Sequence, residues 1–257
     1  MLSLSNVYFC TDFIPVKKYG SCNKSLVPAT NSKSSSINHN HQSMESYKHI
    51  VFDFDGTIAD SRSVFISLYN ELAEKHNYLP MTEDNLQELR AMSITERCKM
   101  LGVPLYKIPF LAAAIIKKYK NAVPLLQFNE GMKELLLSLA ENKVKFAVLS
   151  SNSKSNIQEF FDLNGVKCKH IYSSRSIFGK HILINKFLKE KNLKPSDILY
   201  IGDEVRDVVA CRKSGVKMAW ISWGYDILQS LVNNKPDYHI DNPAQILSLV
   251  LGHLVIV

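Results

Sequence analysis

From residue 129 onward, short apolar runs alternate with segments that repeat their apolar residues every three or four positions. That alternation predicts strand–helix units building a parallel sheet. Runs at 145–150, 170–173, 198–201, 218–222 and 238–240 read as strands. Between them, Met132, Leu135, Leu136 and Leu139 stripe one helix, and Ile157, Phe160 and Phe161 stripe a second. Leu183, Phe187 and Leu188, then Val205, Val208 and Val209, stripe two more. Asn164-Gly165 and Ser214-Gly215 supply helix stops. The apolar stretch 249–257 is far shorter than the roughly 20 residues of a membrane helix and is expected to pack on the core.

One strand precedes this series. Ile50, Val51 and Phe52 form a buried-strand run that stops at Asp53 and Asp55, followed by Gly56-Thr57. Residues 62–128 then keep helical spacing without strand-like alternation. Val64, Leu68 and Leu72 share a face with Phe65 alongside, and Leu111, Ile115 and Tyr119 stripe a helix entered through Pro109. Ser93-Ile94-Thr95-Glu96 fits a capping box, with Gly102 and Pro104 as the stop. The expected organisation is an α/β, Rossmann-like three-layer core with a parallel sheet (47–61 and 129–257) and a helical cap (62–128) inserted after the first strand.

Residues 1–46 lack this periodicity and are rich in Ser and Asn, which predicts a mostly disordered tail. The tail is poor in acids, as targeting peptides are, but has no arginine and no clean amphipathic pattern. Met44 offers a second start just ahead of the first strand, and His39 and His41 read as solvated rather than metal-binding.

Composition adds limits. Hydrophobic content of 46% and charged content of 21% suit a soluble globular chain. The formal charge of +7 comes from scattered lysines with no basic run longer than two residues, so it points to solvation and attraction of an anionic substrate, not to nucleic acid. Five widely spaced cysteines, with no Cys-x-x-Cys pair, suit a reducing, cytoplasmic compartment.

Polar residues recur where the strands stop: Asp53 and Asp55, then Ser151-Asn152, then Asp203-Glu204 with Asp207 one helical turn on, while Lys180 precedes a helix. In a parallel sheet the carboxyl ends of strands converge on one crevice. Clustered acids there need a hard divalent cation with oxygen ligands, and Mg²⁺ is the usual choice when phosphate also binds. Metal-assisted phosphoryl transfer is the chemistry expected.

In these motifs and their order the chain resembles the haloacid dehalogenase-like hydrolase superfamily. The first motif is Asp53-Phe54-Asp55-Gly56-Thr57, the second Ser151, the third Lys180, and the fourth runs Gly202-Asp203-Glu204-Val205-Arg206-Asp207. The stretch beginning Asn129-Glu130-Gly131 and the triplet Pro236-Asp237-Tyr238 are similar to the phosphoglycolate-phosphatase-like branch. The resemblance implies a phosphoric monoester hydrolase acting on a small phosphorylated metabolite, phosphoglycolate-like or a sugar phosphate, through an aspartyl-phosphate intermediate, as a monomer or homodimer, without nucleic acid or membrane partners. It implies Asp53 as nucleophile, Asp55 as acid and base, and Lys180 as a stabiliser of both nucleophile and phosphoryl group. Gly56, Thr57, Ser151 and Asn152 would hold the phosphoryl oxygens. Mg²⁺ would bind Asp53, Asp55 through its backbone carbonyl, and Asp203, with Asp207 in support.

Alternatives stay open at this point. Ser151 is also readable as a helix cap, with Ser150 or Ser153 as the motif serine. Lys180 lacks a following proline and has Arg175 as a neighbour of like charge. Glu204 is readable as a ligand near the metal or as a helix N-terminal acid, the latter slightly preferred. Arg90, Arg97 and Lys99 are readable as a grip on a second anionic group of the substrate, but are expected on a solvated helix face. A phosphomutase, or a catalytically silent phosphate-binding regulator, uses the same scaffold.

Overall fold

The structure is a computed structural model that describes residues 17–18, 47–174 and 179–251. Two edge residues form β1 (Lys17–Lys18) and the first buried strand is β2 (His49–Phe52). A short β3 (Ala59–Asp60) leads into α1 (Arg62–His76), α2 (Glu83–Ala91), α3 (Ile94–Met100) and α4 (Ile108–Tyr119), and β4 (Gln127–Phe128) leads back. The rest alternates: α5 (Met132–Glu141), β5 (Lys145–Ser150), α6 (Lys154–Leu163), β6 (Ile171–Ser173), α7 (Lys180–Lys191), β7 (Ile198–Gly202), α8 (Val205–Ser214), β8 (Lys217–Ile221), β9 (Tyr238–Ile240) and α9 (Pro243–Leu251).

The sheet order is β1-β9-β8-β7-β2-β5-β6, parallel throughout except for β1, which runs antiparallel to β9. Strand β2 lies between β5 and β7, so the three strands that end in the expected site residues are neighbours. Both faces of the sheet are covered, which is why these strands read as unbroken apolar runs. Ile50, Phe52, Val148, Leu199 and Ile201 pack on one face with residues of α5, α6 and α9. Val51, Ala147, Leu149, Ile198 and Tyr200 pack on the other with residues of α7 and α8.

The helical insertion has a core of its own, with Tyr69, Leu72, Leu89, Leu101 and Ile115 at its centre. Helix α1 joins the two regions, since Leu68 packs against both the insertion's core and the sheet's. The capping box at Ser93 and Glu96 forms as expected, and Gly102 adopts φ +73° beyond α3. Strand pairing does enter the region expected to be wholly helical, because β4 pairs antiparallel with β3. Two residues per strand are too few to leave an alternating pattern.

Of the expected tail, only Lys17–Lys18 are described, and they form the edge strand; the remaining residues of 1–46, with Cys10, Cys22, His39, His41 and Met44, lie outside the described residues, as do 252–257. Leu249 and Val250 pack against the core as expected. Cys98, Cys168 and Cys211 are free thiols. No single described helix is long and apolar enough to cross a membrane.

His49 at the start of β2 is 7% exposed, packs its ring 5.7 Å from that of Phe187, and leaves Nδ1 without a hydrogen-bond partner. Burial, reinforced by Lys145, His170 and Lys191 and opposed only by Asp197, lowers its pKa from 6.5. The unfolded chain therefore takes up this proton first. The stability His49 contributes is full above its ordinary pKa and declines as pH falls through that value toward the lower folded one. The denaturation midpoint is expected to drop between about pH 7.5 and pH 5.5, and to drop less in His49→Leu. Urea titrations at both pH values test this, and equal drops would exclude His49 as a contributor.

Candidate active site

Strand β2 ends in a local alternation that separates an anchor from two acids. Phe54 is fully buried, its ring 5.2 Å from Phe160 and 6.4 Å from Phe161. With Phe54 in the apolar core, Asp53 and Asp55 are left to the polar end of the sheet. The turn that follows is held on several sides. Asn129 Nδ2 donates to the carbonyls of Gly56 (2.9 Å) and Thr57 (3.0 Å), and Trp223 Nε1 donates to the Thr57 carbonyl at 3.2 Å. Gly56 has φ +75°, and a Cβ there would lie 2.4 Å from the Tyr225 ring and 2.5 Å from Asp203 Oδ2. Glycine is required here for both conformation and space.

Asp53, Asp203 and Asp207 converge in a buried cluster, each offering one carboxylate oxygen within 4.8 Å of the others. Lys180 at the start of α7 enters the same cluster. Its Nζ donates to Asp53 Oδ2 at 2.6 Å and to Asp207 Oδ1 in a second, shorter ion pair. The other Asp53 oxygen accepts from the Phe54 amide at 2.8 Å. Burial opposes the Lys180 charge, but Asp207 and Asp53 outweigh it and raise its pKa. Lysine therefore stays an ammonium here.

Asp203 is less well compensated. It accepts from Thr57 Oγ1 (2.8 Å) and from the Tyr225 amide (2.7 Å). Burial and the carboxylates of Glu204, Asp53 and Asp207 nevertheless push its pKa well above the usual carboxylate range. A buried set of hard oxygen donors with excess negative charge fits Mg²⁺, whose charge would offset the repulsion. Asp207 has both oxygens engaged, by Lys180 and by the Glu204 amide at 3.3 Å, which suits a supporting position.

Asp55 takes another direction. Its carboxylate lies outside the cluster, accepting from Tyr119 OH at 2.6 Å and from Asn152 Nδ2 at 3.0 Å. Its expected contact with a metal would therefore be by the main chain alone. Burial raises its pKa while these two hydrogen bonds pull it back. Asp55, Ser151, Asn152 and Arg206 line one cavity, which extends under the insertion.

The helix cap at the start of α6 is Ser153, whose Oγ accepts from the Asn156 amide at 3.2 Å. Ser151 is left half-buried and accepts from Arg206 Nη1 at 3.4 Å. Ser150 is buried and accepts from the Asn152 amide at 3.1 Å. Thr57, expected at the phosphate, is fully buried and its hydroxyl is directed to Asp203. Glu204 sits at the N-cap of α8 and pairs with Arg206, outside the acid cluster. Arg175 lies outside the described residues.

Two arginines depart from the expected solvated face. Arg97 forms a close ion pair with Asp226, with side-chain exposures of 15% and 4%. Arg90 Nε donates to the Tyr225 carbonyl at 2.8 Å, and Arg62 Nη2 to those of Trp223 (2.7 Å) and Gly224 (2.6 Å). Only Lys99 is exposed as expected. Three insertion arginines thus grip residues 223–226, the segment that also supplies the Tyr225 amide to Asp203. Helical spacing identified Tyr119 only as a core position, and no sequence signal pairs Arg97 with a residue 129 positions away.

A mostly parallel sheet with acids at the carboxyl ends of its central strands, covered by an inserted helical unit, is a three-layer α/β architecture with its site at that edge. The family model described as haloacid dehalogenase-like hydrolase matches residues 50–221, and the chain belongs to that family. It is 29% identical over 203 residues to a phosphoglycolate phosphatase from Synechococcus elongatus, covering 78% of this chain and 96% of the relative. It is 24% identical over 219 residues to an N-acetylmuramic acid 6-phosphate phosphatase from Pseudomonas putida, covering 78% and 95%. A haloacid dehalogenase-like family hydrolase from Streptococcus pneumoniae superposes with a TM-score of 0.64 at 22% identity, covering 80% of this chain and 99% of that one.

Two outcomes follow from this geometry. Mg²⁺ at about 100 times its Kd is expected to stabilise the protein by about 2.7 kcal/mol, and Asp203→Ala to abolish that gain. Thermal melts with Mg²⁺ and with EDTA read this without any substrate. Arg97→Ala strands the buried Asp226 carboxylate and is expected to cost about 3–5 kcal/mol, an amount that chemical denaturation resolves.

Proposed function

We propose that this hydrolase is a Mg²⁺-dependent phosphatase of small phosphomonoesters and works through a phosphorylated Asp53. The observation that carries the reading is the division between its two leading acids. Asp53 lies with Lys180 in the buried acid cluster, whereas Asp55 is turned to the cavity that would hold the leaving group. The phosphatase names of the two relatives support a small phosphorylated metabolite as substrate.

In this reading the Asp53 carboxylate attacks phosphorus in line, and the bond to the leaving oxygen breaks as Asp55 gives that oxygen a proton. Asp55 is then the base that takes a proton from the water that attacks the aspartyl-phosphate. The bond between phosphorus and the Asp53 oxygen breaks, its electron pair restores the carboxylate, and inorganic phosphate leaves. Lys180 holds Asp53 oriented and balances charge on the transferring group. Gly56 and Thr57 through the turn, with Ser151 and Asn152 at the end of β5, hold the phosphoryl oxygens. Mg²⁺ bound by Asp53, Asp203 and the Asp55 carbonyl, with Asp207 in support, would supply the neutralisation that lets a carboxylate approach a phosphate.

Purified protein with p-nitrophenyl phosphate and Mg²⁺ is expected to release phosphate. Asp53→Asn should remove that release, and Asp55→Asn should lower kcat by roughly 10²–10⁴-fold. Absence of Mg²⁺-dependent release above the Asp53→Asn control sinks the reading. Isomerised sugar phosphate in place of free phosphate would make the protein a mutase instead.

A further inference from the structure

The cavity that begins at Asp55 has a volume of about 180 Å³ and two unlike ends. At the sheet edge it is polar, with Asp55, Ser151, Asn152, Glu204 and Arg206. Under the insertion its wall is built from Phe65, Tyr69, Leu101, Ile108, Leu111 and Ile115. A phosphoryl group at the polar end would direct its alcohol portion into the apolar end.

The cations around the cavity are already balanced. Two cations line the cavity, and each is matched by a carboxylate: Arg206 by Glu204 and Arg97 by Asp226. A carboxylate on the leaving group would enter beside Asp55 and Glu204 with its charge uncompensated, and desolvating it would be costly. Polyols fare little better. The Tyr69 hydroxyl already donates to the Leu79 carbonyl at 2.9 Å, and that of Tyr119 to Asp55 at 2.6 Å. The Tyr225 hydroxyl is engaged with Ser61 Oγ at 3.1 Å, and the Cys98 thiol is only a weak hydrogen-bonding group. Several sugar hydroxyls would lose water there without replacement partners.

Size sets the remaining limit. An apolar cavity of about 150 Å³ accommodates benzene. We infer that the alcohol released by this enzyme is uncharged and apolar, an aryl-bearing or branched alkyl group of roughly six or seven carbons, rather than a carboxylate or a polyol. The inference rests on the phosphatase reading and specifies its substrate class.

The test compares benzyl phosphate, 2-phosphoglycolate and glucose 6-phosphate, all esters of primary alcohols, with full-length protein and Mg²⁺. The kcat/KM for benzyl phosphate is expected to exceed each of the others by about ten-fold or more. Leu111→Arg, at a half-buried wall position, should lower the benzyl-to-phosphoglycolate ratio about ten-fold, with a melting curve confirming the fold. Should that variant not fold, calorimetry on the wild type should show benzylphosphonate binding about ten-fold more tightly than phosphonoacetate. Equal or better turnover of phosphoglycolate or glucose 6-phosphate, or equal binding of the two phosphonates, overturns the apolar assignment and leaves the phosphatase standing. No Mg²⁺-dependent release from any of the three, nor from p-nitrophenyl phosphate, overturns both.

Discussion

Lys180 Nζ lies between Asp53 and Asp207 in a site where lysine and both acids are almost wholly excluded from water. Such an arrangement is a poor source of net stability, because desolvation of each ion offsets most of the mutual attraction. It does impose geometry. The ammonium holds the Asp53 carboxylate from one side, while the Phe54 amide holds its second oxygen. Because one lysine faces two acids with Asp203 beside them, the cluster retains excess negative charge that favours a cation. Strand order makes the convergence possible, since β2 is flanked by β5 and β7 and all three deliver their carboxyl ends to one edge.

The inserted helices are tied to that edge by more than apolar contact. Asp226 accepts from the Val205 amide at 2.7 Å while pairing with Arg97, so one carboxylate joins α3 to the start of α8. The neighbouring Tyr225 supplies its amide to Asp203 and stacks edge-on against Phe65 of α1. Tyr119, the last residue of α4, reaches Asp55 directly. Movement of the insertion would therefore be felt at the acid expected to protonate the leaving group, which is a physical basis for coupling closure to chemistry. The same contacts bring the apolar wall of the insertion over Asp55.

Legibility in the chain follows the range of the forces involved. The apolar runs ending in Asp53, Ser150 and Gly202, the helix stripes after residue 129 and the capping box at Ser93 are local consequences of periodicity and backbone hydrogen bonding. Motif order then placed Asp53, Asp55, Lys180, Asp203 and Asp207 on one edge, because parallel strands must bring their carboxyl ends together. The fold class and the set of acids with their lysine are therefore readable from the chain alone. The orientation of each side chain depends on packing between distant elements. That packing turned Thr57 to Asp203, assigned the α6 cap to Ser153 rather than Ser151, took Arg90 and Arg97 off the expected solvated face, and joined Tyr119 to Asp55. Apart from the local Ser153 cap, those contacts link residues 64 to 146 positions apart, and a pattern of neighbouring residues carries no information about which distant group meets a given polar side chain.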